Sequence, residues 1–194
     1  MTHTPTLRRL LLSCAALALL LAICAFLLGQ AMQRFDESAY PLEYADTVQT
    51  AAEEYGIPPS LIYAVIHTES SFDPAAHSSA DAVGLMQITD DTYRWALQRA
   101  GAEDTYNPDT LLDPVANIRC GTYILHLLGE KFENTQTVLA AYNAGQGHVR
   151  QWLADPACSG DGVTLSHIPF AETEEYIRRV LTAQQRYQQI YNIL

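Results

Sequence analysis

Nineteen consecutive residues, Leu10 to Leu28 (LLLSCAALALLLAICAFLL), carry no charge, no Pro and no Gly, and Ser13 is their one polar side chain. At a rise of about 1.5 Å per residue, such a run nearly crosses a hydrocarbon core of about 30 Å. A helix buried in a soluble core rarely stays apolar on every face for that length. Arg8-Arg9 precedes the run and Asp36-Glu37 follows it. Positive charge on the N-terminal flank predicts that this flank stays in the cytoplasm and the rest lies outside. The expected division is residues 1–29 as a membrane anchor or signal segment, 30–42 as a short stalk, and 43–194 as one exported domain. Gly29-Gln30-Ala31 is a small-x-small triplet that a signal peptidase could cut, so secretion after cleavage is the alternative to a single-pass anchor. The run exceeds the about 7–15 residues of a usual signal core, which favours the anchor. A lipoprotein site at Cys14 is disfavoured, because most of the run follows that cysteine.

The charge is unevenly placed. The whole chain carries −11, yet no acidic residue precedes Asp36, so from residue 31 onward nine basic residues stand against 22 acidic ones, a net −13. Lys131 is the single lysine, and no basic run occurs beyond Arg8-Arg9 and Arg178-Arg179. Nucleic acid is excluded as a partner on this ground, since phosphate binding needs clustered Lys and Arg. An apolar fraction of 48% supplies a core, and the length leaves room for one ordinary domain beside the anchor.

Helical signals dominate that domain. Val48, Ala51, Ala52 and Tyr55 recur at helical spacing before a stop at Gly56, predicting a helix over 43–55. Pro58-Pro59 opens a second helix with Leu61, Ile62, Val65 and Ile66 on its apolar stripe. Residues 73–84 read as a loop, and Asp90-Asp91 as the cap of a helix ending near Gly101. Asp113-Pro114 starts a helix that runs to about Gly129; Thr135 starts another, closed near Gly145. Residues 155–168 read as loop, and Phe170 begins a long final helix. No stretch alternates with period 2, so the expected class is all-α.

One carboxylate departs from the pattern. Glu69 lies three, four and seven residues beyond Ile66, Val65 and Ile62, on the apolar face and at the end of its helix. Desolvation and the negative helix terminus both raise a carboxyl pKa there. A carboxyl held protonated near neutral pH suits a general acid in glycoside cleavage. A Glu at a frayed helix end reaching into water is the plain structural alternative.

The residues that follow decide between these. Glu69-Ser70-Ser71-Phe72, Ser78, and Gly84-Leu85-Met86-Gln87 closely resemble the pattern of the bacterial lytic transglycosylases, the goose-type-lysozyme-like enzymes of glycoside hydrolase family 23 with an SLT domain. Ala141-Tyr142-Asn143-Ala144-Gly145 and Pro169-Phe170-Ala171-Glu172-Thr173-Glu174-Glu175-Tyr176 match two further family motifs in order, and Asn107-Pro108 through Asp113–Ile118 fits an intervening helix start. The resemblance covers about residues 43–190. It implies a lysozyme-like helical domain that cleaves the MurNAc-GlcNAc β-1,4 bond of peptidoglycan strands and closes a 1,6-anhydro ring. Glu69 is implied as the single acid/base, since the muramoyl C6 hydroxyl is the nucleophile and the second carboxylate of ordinary glycosidases has no task. Ser78, Gly84, Met86, Gln87, Tyr142, Asn143, Glu172 and Tyr176 are the implied substrate-binding residues: Tyr142 bonding near the carboxyl or sugar, Glu172 ordering the cleft through backbone or Tyr142, Tyr176 stacking on a sugar. Asp81 departs from the family, which commonly has Gly there; Asp tolerates a left-handed backbone.

Competing chemistries find little support. His67-Thr68-Glu69 lacks the Pro-Cys-x-x-Cys partner of zinc deaminases, no H-E-x-x-H occurs, and His77, His126, His148 and His167 are scattered, so no metal and no cofactor is expected. No G-x-S-x-G is present. Cys14 and Cys24 lie in the apolar run; Cys120 and Cys158 lie in the exported part, where a disulfide and two buried thiols are both open. The remaining alternatives are a hydrolytic muramidase on the same scaffold and a non-catalytic wall-binding module. The acidic balance implies that neutral sugar contacts, and the local concentration the anchor supplies, carry substrate binding.

Overall fold

With no proline between Pro5 and Pro41 to stop it, the first helix runs well past the apolar stretch. The computed structural model describes residues 4–193, with residues 4–8 described by their backbone alone. Helix α1 spans Thr4–Ala39, so most of the expected stalk is helical too. Its Arg9–Ala39 part is long and apolar enough to cross a membrane, with a mean hydropathy of 2.8 in its most apolar window and none of that window buried. The chain divides into two units, Met1–Pro41 and Leu42–Leu194.

The second unit is helical, as expected, with no strand among the described residues. Its helices are α2 (Ala45–Tyr55), α3 (Pro59–Ser70), α4 (Asp90–Ala100), α5 (Pro114–Gly129), α6 (Thr135–Ala144), α7 (Gln146–Ala154) and α8 (Ala171–Tyr191). Short 3₁₀ turns at Glu103–Thr105 and Pro108–Leu112 join α4 to α5. Helix α3 is the centre: every residue from Ser60 to Ile66 is buried, as a helix apolar on all faces requires. It packs along α8, where the Tyr63 and Tyr187 rings stack with centroids 5.3 Å apart. The buried Ser60 hydroxyl accepts from the amides of Gln184 and Gln188 at 3.5 and 3.4 Å. Helix α5 lies between α2 and α6, and α6 reaches both α7 and α8.

Capping explains most boundaries and corrects two expectations. Asp113 Oδ1 accepts from the Ala116 amide at 2.8 Å, as its place before Pro114 predicts. Helix α4, in contrast, is capped by Thr89, whose hydroxyl accepts from Thr92 N; Asp90 and Asp91 lie inside the first turn, where carboxylates favour the helix dipole. Helix α7 was not expected at all. It begins directly after Gly145, which closes α6, so one residue serves two helices and the sequence shows no intervening loop.

The segment between α3 and α4 sets the shape of the site. Ser71 and Phe72 both take left-handed conformations (φ 52° and 65°), reversing the chain after Glu69. That is costly for a bulky side chain, and burial of the Phe72 ring against Tyr63 and His67 holds it in place. Isolated antiparallel bridges, His77 to Val83 and Val83 to Ile88, fold the loop on itself. Asn117 of α5 then pins it. This fully buried amide accepts from Met86 N at 2.8 Å and donates to Val83 O at 3.0 Å and Leu111 O at 2.9 Å. Asp81 adopts the left-handed backbone anticipated for it (φ 58°), and its carboxylate is solvated, 3.8 Å from His77 Nε2.

Cys120 and Cys158 are both free thiols, so the disulfide alternative fails. Burial pushes the Cys120 thiol up to about 12, which keeps it protonated and unreactive.

Candidate active site

Glu69 occupies the last turn of α3, and the apolar stripe that buries α3 carries its carboxyl inward with it. Burial raises its pKa to about 7; the Tyr176 hydroxyl and the Arg179 charge oppose the rise without cancelling it. The carboxyl opens onto a cleft of about 470 Å³ whose wall includes Ser78, Gln87, Tyr142, Asn143 and Glu172. Residues from α3, the pinned loop, α6 and α8 therefore meet around one acid.

Four of these wall residues are held by specific contacts. Ser78 Oγ accepts from the amides of Ala80 and Ala82 at 3.2 and 3.1 Å, turning the loop at the cleft edge. Gln87 takes a left-handed backbone (φ 47°) and donates through Nε2 to Ala76 O and Gly84 O at 3.1 and 2.9 Å. Tyr142 donates to Met86 O at 2.8 Å, and burial together with the Glu69 charge holds its phenol well above the usual tyrosine range. Asn143 Oδ1 accepts from Thr173 Oγ1 at 2.8 Å, which ties the end of α6 to the start of α8.

Four expected site residues sit differently from their expected roles. Met86 is fully buried and its thioether lies against Gly121, where an added Cβ would fall 2.4 Å from the sulfur; it offers the site its backbone, not its side chain. Gly84 (φ 75°) is needed for packing against α5, since a Cβ would fall 2.3 Å from Asn117 Nδ2. Tyr176 is only 2% exposed and cannot stack on a sugar; its buried hydroxyl lies beside Glu69 without completing a hydrogen bond of ordinary geometry among the described residues. Glu172 lines the cleft but is exposed, and the bond that orders this corner belongs to Thr173. Among the described residues no group of three or more His, Cys, Asp or Glu is arranged to hold a metal ion.

The family profile of the transglycosylase SLT domain matches residues 46–161, more than half of the chain and inclusive of Glu69 and Tyr142. The chain belongs to the SLT transglycosylase domain family. It is 35% identical over 163 residues to the soluble lytic murein transglycosylase of Escherichia coli K12, covering 83% of this chain and 25% of that protein. It is also 35% identical over 170 residues to the membrane-bound lytic murein transglycosylase C of Edwardsiella ictaluri, covering 76% and 47%. The crystal structure of the 70-kDa soluble lytic transglycosylase of Escherichia coli superposes with a TM-score of 0.69 at 32% identity, over 79% of this chain and 25% of that one. A second structure, an inactive Glu-to-Gln mutant of the Pseudomonas aeruginosa lytic transglycosylase, gives 0.66 at 30% identity. The chain thus spans about a quarter of the length of the soluble relatives.

Three residues of this SLT domain site were not singled out from the sequence. Asn117 is legible only as a polar residue on the buried face of α5, and Thr173 only as a hydroxyl within the last helix's motif. Arg179 reaches Glu69 electrostatically from one turn beyond Tyr176, a neighbour that the α8 spacing alone does not reveal.

Proposed function

We propose that this chain is a peptidoglycan lytic transglycosylase in which Glu69 serves as the single acid/base. The observation that carries the reading is the Glu69 carboxyl, half-buried at the cleft with a pKa of about 7. At neutral pH such a group is poised both to give a proton and to take one. Protonated Glu69 donates to the oxygen linking MurNAc to GlcNAc as the C1–O bond breaks. The resulting carboxylate takes the proton of the muramoyl C6 hydroxyl as that oxygen bonds to C1, closing the 1,6-anhydro ring and returning Glu69 to its starting state. No water is consumed, and no second carboxylate is required.

The other roles follow from the wall. Tyr142 stays a neutral phenol and fixes the loop backbone beside Glu69, so the carboxyl and the sugar-binding edge keep a constant separation. Ser78, Gln87, Asn143 and Glu172 present polar groups to a glycan strand. Residues 1–29 act as a single-pass membrane anchor, 30–42 as a stalk, and 43–194 as the catalytic domain on the extracytoplasmic side. The length and composition of α1 support this placement, as does the likeness to a relative named membrane-bound.

The test is turnover of purified peptidoglycan by the full chain in nonionic detergent, beside Glu69→Gln. The variant should release no soluble product while keeping wild-type circular dichroism. Wild-type rates in a variant whose Gln is verified by mass would end the assignment of Glu69.

A further inference from the structure

A helix commonly closes on one left-handed residue, and glycine is its usual occupant because it carries no Cβ. The end of α3, one turn that includes Glu69, closes differently. Ser71 takes the left-handed place (φ 52°), its amide donating to His67 O at 3.1 Å, and Phe72 follows in the same region (φ 65°). Two residues with a Cβ, one of them aromatic, thus hold a backbone conformation that disfavours each of them. The Phe72 ring opposes their return to extended backbone. It is 6% exposed and folds back over α3 against Tyr63 and His67, with centroids 6.3 and 6.5 Å away. An apolar contact of this kind, from just past the reversal onto the last turns of the helix, is what secures such a helix end. Tyr63 stacks on Tyr187 of α8 at 5.3 Å, and His67 meets the same ring edge-on at 6.3 Å, so two helices build the floor on which Phe72 sits.

Phe72 takes no part in the cleft wall; it acts on the two segments that do. Behind it, the Ser71 amide closes the turn that carries Glu69. Ahead of it, Asp73 N donates to Ser70 O at 3.1 Å and Ala76 N to Asp73 O at 3.2 Å, which starts the loop back toward Ser78. Ser70 Oγ donates to Leu85 O at 2.9 Å and ties the helix end to the far side of that loop. We propose that Phe72 is a positioning residue for the acid: its ring, seated on Tyr63 and His67, holds the two-residue left-handed reversal that keeps the end of α3 wound and Glu69 aimed into the cleft. The inference rests on the reading of Glu69 as the acid/base.

The experiment compares Phe72→Ala with Phe72→Gly, using the full chain in nonionic detergent. Alanine removes the ring and keeps the backbone penalty; glycine removes both together. In Phe72→Ala the last turn frays and water reaches more of the Glu69 carboxyl. Its kcat on purified peptidoglycan should fall about 10–100-fold, the loss that a displacement of about 1 Å brings to a catalytic group. KM should change little, because Asn117 still pins the loop. The alkaline limb of kcat/KM should move from about 7 toward the 4.5 of a solvated glutamate. Phe72→Gly should lose less kcat and keep the limb closer to 7. Glycine no better than alanine, or a limb unmoved in both, overturns the proposal. If circular dichroism shows Phe72→Ala unfolded, Phe72→Leu replaces it under the same criteria. His67 is the other titratable group that the ring covers; burial lowers its pKa, so uncovering it moves that value upward, opposite in sign to Glu69. Tyr142 and Tyr176, which face Glu69 from α6 and α8, stay neutral phenols, and Arg179 keeps its charge. The Glu69 ionisation is also read without turnover, from the urea stability of each protein across pH minus that of its Glu69→Gln counterpart, a subtraction that cancels His67. A wild type that releases no product, with a subtracted profile that Phe72→Ala shifts to lower pH, removes the transglycosylase reading and keeps the positioning role. Product release with coincident profiles removes the positioning role alone.

Discussion

Glu69→Gln makes a prediction about stability that is separate from activity. Burial holds the Glu69 pKa at about 7, against 4.5 for the same group in the unfolded chain. The folded state therefore binds this proton more tightly. That stability is fully present below pH 4.5 and is lost as pH rises through 7. A difference of this size corresponds to about 3 kcal/mol at most, because the cleft side of the carboxyl faces water. Gln cannot ionise and fills nearly the same volume, so Glu69→Gln removes the pH-dependent loss. Urea unfolding followed by tryptophan fluorescence measures it cleanly, since Trp95 and Trp152 both lie in the second unit. Between pH 5 and pH 8.5 the wild type should lose about 2–3 kcal/mol relative to the variant, or roughly 5–10 °C in Tm for a unit of this size. Parallel stability profiles for the two proteins would refute the claim that partial burial raises the Glu69 pKa to about 7.

Other substitutions read the supporting structure. Tyr176→Phe deletes a donor that lowers the Glu69 pKa, so the alkaline limb of kcat/KM should move to higher pH while stability changes by less than about 1 kcal/mol, the lost hydroxyl having no closed hydrogen bond. Asn117→Ala leaves the Met86 amide and two carbonyls without their buried partner, and chemical denaturation should register a loss of about 3 kcal/mol. Gly121→Ala drives a Cβ into the Met86 side chain, with an expected cost of about 1–3 kcal/mol in the same assay.

The fold was legible where a local chemical signal marked it. Pro58-Pro59, Asp113-Pro114 and the Gly56 and Gly101 stops place helix ends because cap and stop chemistry acts within a few residues. Helix α7 was not legible, because Gly145 closes one helix and opens the next with no polar linker between them. Glu69 stood out because its spacing set a carboxyl on an apolar stripe, a conflict visible in one helix. The roles of Tyr176 and Met86 were misread because motif spacing tells that a residue is near the site, while only packing against Glu69 and Gly121 tells which way it faces.

The central claim is that one half-buried carboxyl cleaves the glycan without water. Mass spectrometry of the muropeptides released from purified peptidoglycan tests it most directly. The account predicts products lighter by one water than their hydrolytic counterparts, with no reducing muramic acid end and no oxygen label taken up from H₂¹⁸O. Reducing ends carrying the label would contradict it and mark the site as a hydrolase.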